Sequence, residues 1–328
     1  MTTVNGARER DSPGEFLLRA PAVGPALALV VAVVVFSLST DTFFDLDNLS
    51  TVVQQSLVVG TLALGQTLII LIAGIDLSNA SSMVVATLVM AKLAAADTNG
   101  FVALLAGVVL TILVGLFIGT LATRVKLPAF IITLGTFTGL TAVAKLIAGG
   151  QAVPVGDGLL QWLGTKRYLF GGIPITYGMT LALIMFLVVW YALTKTAWGK
   201  HVYAVGNAPE SARLSGIKVN RTVLSVYLVG GLCFGIAAWQ ALGRTPNADP
   251  NQFQLGNLDS ITAVVLGGTS LFGGRGSVLG TLFGALVVAV LRSGLTQMGV
   301  DGNYQDLATG ALLIAAVVVD RIARRQQS

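Results

Sequence analysis

Gln54, Gln55, Gln66, Asn79, Thr133, Thr136, Asp259 and Thr262 are polar side chains set within long apolar runs or at their ends. Amides and hydroxyls at these spacings build no nucleophile and no metal site; their chemistry is hydrogen bonding. In hydrocarbon such groups must face protein or a wet cavity, which makes them candidates for lining a translocation pathway. Neutral donors and acceptors suit a neutral, hydroxyl-rich solute better than an ion. Hydrogen bonds between helices, without solute contact, are the alternative for each residue.

The residues that do covalent chemistry elsewhere stand isolated. His201 has Lys200 and Tyr203 beside it, but no carboxylate or cysteine near in sequence to complete a triad or a metal site. Cys233, within "GGLCFGIAAW", is the single cysteine. It forms no intrachain disulfide, says nothing of redox compartment and reads as a packing residue. "WGKH" at 198–201 has the lysine of a P-loop but neither its glycine nor its hydroxyl, and "LGGTSLFGGRGSVLG" at 266–280 lacks the strand and spacing of a dinucleotide fingerprint. Neither cofactor nor metal is expected. The chain reads as one that moves something rather than converting it, with any hydrolysis of ATP in a separate chain.

A polar island, "AVGNAPESARLSGIKVN" at 204–220, separates two apolar runs. Asn207 is placed to cap a short helix, Pro209 suits its first turn, and Glu210 is spaced to reach back as in a capping box. Ala212 and Arg213 continue the turn, and Gly216 permits a left-handed stop. The expectation is a two-turn helix lying on the membrane surface.

These residues must be positioned by a membrane-embedded bundle. Of 328 residues, 54% are hydrophobic and 11% charged, against roughly a quarter charged in soluble domains. The apolar residues form blocks long enough to cross a hydrocarbon core of about 30 Å as helices. They are continuous rather than alternating, which excludes a barrel. The fold expected is all-α, a polytopic helical bundle of about ten spans: 22–39, 52–73, 78–96, 101–123, 129–148, 175–193, 223–242, 258–272, 278–295 and 304–319. The eighth is short. The whole chain, 1–328, reads as a single transmembrane domain, with a terminal segment 1–21, a loop 197–220 and a tail 321–328 on one side.

Placing both termini in the cytoplasm puts 14 of the 20 basic residues there, among them Arg124, Lys126, Lys200, Arg213, Lys218 and Arg275. The positive-inside rule favours that orientation. Lys92, Lys145, Lys166, Arg167, Arg244 and Arg292 fall on the other side, several near span ends where they can snorkel. No Lys, Arg or Glu sits at a clear midplane position, so the driving energy of a carrier would come from elsewhere. The net charge of +5 reflects topology and contact with anionic lipid, not nucleic-acid binding. Gly115/Gly119, Gly135/Gly139, Gly231/Gly235 and the ladder Gly276/Gly280/Gly284 have the spacing that lets helices approach closely in lipid. Bundle packing is the main reading, a homodimer face the other.

"PESARLSG" at 209–216 resembles the coupling loop of ATP-binding-cassette (ABC) importer permeases, with Glu210, Ala212 and Gly216 matching and Ser211 in place of an alanine. "GIDLS" at 74–78, "LPAFIITLGT" at 127–136, "ARLSGIKVN" at 212–220 and "AVVLGGTSLFGGRGSVLGTLFGAL" at 263–286 resemble the simple-sugar subfamily, the ribose, xylose and arabinose type. The likeness covers nearly the whole chain in order. It implies an ABC permease fold in a bacterial inner membrane, a coupling helix carrying Asn207, Pro209, Glu210, Ala212, Arg213 and Gly216, and import of a monosaccharide. It also implies three partners: a cytoplasmic sugar-type ATPase, an extracytoplasmic sugar-binding protein and a second permease copy. The subfamily follows "GIDLS" with Val and Gly where this chain has Asn79 and Ala80, and "LRSGLTQMGV" at 291–300 replaces a commonly Asn-rich stretch. Both bear on the solute. A polyol, nucleoside or signalling furanose is the alternative within the class, an ATP-independent carrier or channel the alternative outside it.

Overall fold

The computed structural model describes residues 23–40, 43–156, 158–169 and 173–325. The expected segment 1–21 lies outside them, as do the last three residues of the tail. The helices are α1 (Val23–Ser39), α2 (Leu46–Leu71), α3 (Asn79–Ala95), α4 (Gly100–Thr120), α5 (Ala129–Ala148), α6 (Tyr177–Lys195), α7 (Ala197–Asn207), α8 (Pro209–Leu214), α9 (Val219–Arg244), α10 (Gly256–Leu266), α11 (Val278–Gln297) and α12 (Gly302–Arg325). A wider turn, Leu121–Val125, ends α4.

Six of these are long and apolar enough to cross a membrane, at 48–71, 100–125, 129–148, 177–195, 219–244 and 278–297; α1, α3 and α10 are apolar but shorter. The expected span 258–272 needs correction. Its helix stops at Leu266 after 11 residues, about 16 Å, half the hydrocarbon thickness. The apolar run continues to Phe272, but glycines with positive φ at 268, 273, 274 and 276 bend it into a loop instead.

The all-α expectation also needs a small amendment. Two antiparallel ribbons lie in the segments between helices: β1 (Val153–Pro154) pairs with β4 (Asn247–Ala248), and β2 (Lys166–Leu169) with β3 (Ile173–Thr176). The first ties the chain after α5 to the far end of α9, where Trp162 stacks on Tyr177 at 4.3 Å and on Trp239 at 6.3 Å.

α2 is the axis. It packs on α9, α11, α10 and α6, and 72% of its most apolar stretch is buried, against 17% in α5. Leu62, Leu64, Leu68, Ile69 and Leu71 are fully enclosed, whereas α5 turns Phe130, Ile131 and Leu134 outward, as a helix facing lipid does. α4 and α9 meet through the paired glycines: a Cβ on Gly115 would strike the Tyr227 carbonyl, and one on Gly235 would lie 2.9 Å from Val108 Cα. Gly280 and Gly284 admit the Gly267 and Ala263 carbonyls in the same way. Packing therefore accounts for three of the four glycine sets. Gly135 and Gly139 have nothing within 4 Å of a built Cβ.

Candidate functional site: a surface helix, a buried break and a polar cavity

The polar island folds into two helices. Thr196 caps α7 by accepting the Gly199 N–H at 3.3 Å, and the helix runs on through Asn207. Asn207 therefore does not cap the next helix. Ala208 holds that position without a side-chain acceptor, and Pro209 is the first residue of α8. Glu210 does not reach back either; it pairs with Arg213 at 2.9 Å, the i,i+3 neighbour that a helix places beside it. The stop is as expected. Gly216 has φ +85°, its N–H donates to Arg213 O, and Ile217 N–H donates to Ala212 O, each at 3.0 Å. Ala212 is buried while Leu214 is 84% exposed, so α8 offers a charged pair and a leucine to whatever meets it.

α7 is joined to the bundle by backbone. A Cβ on Gly206 would overlap the Leu71 carbonyl. That same carbonyl accepts the Gly274 N–H at 2.9 Å, and Tyr203 Oη donates to Gly276 O at 3.0 Å. Burial raises the Tyr203 phenol above its ordinary range, keeping it a donor. The end of α2, α7 and the glycine loop thus meet at one seam.

Beyond Leu71 the chain breaks until Asn79. Within the break Asp76 is buried, and its carboxylate accepts from the Ser78 N–H at 2.7 Å and the Ser78 hydroxyl at 2.6 Å. Burial pushes its carboxyl up to about 6, with the Ser78 bonds opposing in part. Three elements hold the segment: Thr133 donates to Ile75 O at 3.0 Å, Asn257 to Leu77 O at 3.2 Å, and the Gln66 amide accepts from Asp76 N–H at 3.1 Å. Asn79 donates to Ser260 Oγ at 2.7 Å. The break is thereby fixed to α5, to α10 and to the core of α2.

At the end of α9 remote from α8 lies a cavity of about 560 Å³. Gln55, Arg244, Gln254, Asp259, Arg292 and Asp306 are among its lining residues. Arg292 on α11 bridges Asp259 on α10 at 2.8 Å and Asp306 on α12 at 3.0 Å. A second cavity of about 320 Å³, lined by Ser81, Phe137, Thr141 and Lys145, shares the wall Gln252–Leu255 with the first.

The eight pathway candidates separate into groups. Gln55 and Asp259 reach the larger cavity. Gln66, Asn79 and Thr133 hold the break, and Thr262 is buried on α10 without a partner among the described residues. Gln54 donates to Ser50 Oγ at 3.0 Å, at a small crevice beside Gly164. Thr136 bonds back to Ile132 O at 2.8 Å and lines an apolar groove between α4 and α5, apart from the rest. Sequence reasoning placed Arg292 as a snorkelling residue and missed its role at the cavity. Its position inside an apolar run, which demands a carboxylate partner in hydrocarbon, was the available signal.

Residues 48–317 match the family described as branched-chain amino acid transport system / permease component. The fructose import permease protein of Rhizobium meliloti is 38% identical over 94% of this chain and 88% of its own length. The ribose import permease protein of Escherichia coli K12 is 36% identical over 90% of this chain and 92% of its own. The D-allose transport system permease protein of the same strain is 32% identical, over 98% of each chain.

Proposed function

We propose a function from one premise: this chain belongs to the branched-chain amino acid transport system permease-component family, and its relatives there are sugar import permeases. It is the membrane-spanning subunit of an ABC importer that carries a monosaccharide across the inner membrane. ATP is hydrolysed by a separate cytoplasmic ATPase, and an extracytoplasmic binding protein delivers the sugar. The chain makes ten passages, with α10 and the loop after it counted as one, and both termini are cytoplasmic. A second copy completes the passage.

The observation that carries the mechanism is the seam at Leu71. α8 offers Glu210, Arg213 and Leu214 outward, and α7 behind it touches the end of α2 and the glycine loop through backbone atoms. Backbone contacts across glycine have no flexible side chain to absorb a displacement, so a push on α8 passes to the 72–78 break and to α10. Asp259 on α10 lines the larger cavity. Closure of the ATPase pair would thereby switch the passage between its two faces.

The test is uptake of fructose, ribose, allose and galactose into vesicles containing the chain, with its ATPase and binding protein present or withheld. ATP-dependent uptake of one of them supports the function. Uptake that persists without the ATPase, or uptake of none with every component present, overturns it.

A further inference from the structure

We infer that Phe253, Gln254, Asp259, Arg292, Gln305 and Asp306 form a subsite within the larger cavity that holds the hydroxyl groups of an uncharged monosaccharide in transit. The inference rests on the proposed function and adds the contacts through which the passage itself recognises its solute.

The first argument is charge. Two arginines, Arg244 and Arg292, and two aspartates, Asp259 and Asp306, face this space, so their formal charges cancel. Arg292 is engaged by both carboxylates at once. A phosphorylated sugar or a sugar acid would bring net negative charge into a space whose own charges already cancel, and would compete with the two aspartates for Arg292, a cost that a neutral ligand avoids.

The second is the match of donors to acceptors. Gln55, Gln252, Gln254 and Gln305 all line the cavity. Gln55, Gln252 and Gln254 can each present both a donor and an acceptor, as a sugar hydroxyl does, while Gln305, whose Nε2 donates to Thr296 Oγ1 and Val300 O, keeps its carbonyl oxygen as an acceptor. The carboxylates can accept from a diol while the guanidinium donates to it. The Arg292 Nε–H is buried without an acceptor among the described residues, so the ion cluster retains donor capacity after both aspartates are bound. A solute with an apolar side chain would leave these groups unmatched.

The third is Phe253. It lines both cavities and holds φ +58°, a left-handed backbone uncommon outside glycine and costly enough that the surroundings must enforce it. The position sits at the wall between the two spaces, three residues before α10 begins. An aromatic ring there supplies an apolar surface for the C–H face of a sugar while the amides and charges take its hydroxyls. The volume of about 560 Å³ lies within the range of ligand sites.

The test is saturation-transfer NMR on the purified full chain in detergent, using D-ribose, D-fructose, D-allose and D-galactose as probes and L-leucine as a counter-probe. At least one sugar should show transfer and leucine none. Gln305→Ala and Phe253→Leu leave the ion pairs in place, and the leucine keeps the same backbone strain while removing the ring. Each should weaken sugar transfer by about fivefold, the worth of one ordinary contact. Asp306→Asn should do so as well. Thermal unfolding of each variant shows whether it has folded, and should one fail, the remaining two decide. Transfer unchanged in the folded variants, no transfer from any sugar to the unaltered chain, or transfer from leucine alone overturns the subsite. Vesicle uptake decides the proposed function separately: ATP-driven sugar uptake with no NMR effect rejects only the subsite, whereas absent uptake rejects the function whatever the NMR shows.

Discussion

The amide of Gly274 donates to the carbonyl of Leu71 at 2.9 Å, across 203 positions of sequence. Leu71 ends the central helix and Gly274 lies in the loop that follows α10, so one hydrogen bond joins that helix to the glycine loop beside the buried break. Gly206 of α7 occupies the same corner, too close for any side chain.

Gly206→Val tests the seam. The added methyls must displace the Leu71 carbonyl, which is backbone and cannot rotate away. Overpacking of this kind costs about 1–3 kcal/mol. The expected result is a lower thermal midpoint and, in the fraction that remains folded, ATPase activity that solute no longer stimulates.

Glu210 and Arg213 are 79% and 69% exposed, so their pairing contributes little to stability. Glu210→Lys is expected to leave membrane insertion and thermal midpoint unchanged while lowering solute-stimulated ATPase activity severalfold, because it puts a base in place of the one acidic group on α8. Unchanged stimulation in the reconstituted complex would remove this residue from the docking surface.

The Arg292 cluster predicts a non-additive mutant cycle. Arg292→Gln leaves Asp259, 11% exposed, without its partner and is expected to cost roughly 2 kcal/mol or more. Asp259→Asn alone leaves Arg292 its bond to Asp306 and should cost less. The double variant should be more stable than the sum of the single losses implies, as read from denaturation midpoints.

Asp76 predicts a pH effect. Its carboxyl is raised from 3.8 to about 6, so the folded state holds the proton more tightly than the unfolded chain. The associated stability is complete below the unfolded value of 3.8 and is lost as pH rises through about 6. Asp76→Asn should abolish this slope and raise the midpoint above pH 6, since an amide keeps an acceptor for Ser78 and carries no buried charge.

Much of this architecture is written in composition. A run such as 129–148 can only be a helix in lipid, and α5 has those bounds. The 258–272 run was misjudged because hydropathy does not register where helical hydrogen bonding stops; the glycines after Leu266 decide that. Asn207 was misassigned because α7 begins at Ala197 and consumes it, and capping signals do not reveal how far the preceding helix extends. Asp259 and Gln55 were legible as polar residues near apolar runs. The cluster they belong to was not, because Arg292 is 33 residues from one carboxylate and 14 from the other, and only packing of α10, α11 and α12 brings them together.

The central claim is that this chain passes a monosaccharide when a separate ATPase drives α8. Its most direct measurement is sugar uptake into vesicles carrying the full complex, with the unaltered chain compared with Glu210→Lys and with vesicles lacking the ATPase. The account predicts ATP-dependent accumulation by the unaltered complex, a severalfold lower rate for the variant and none without the ATPase. Equal uptake in all three would contradict it.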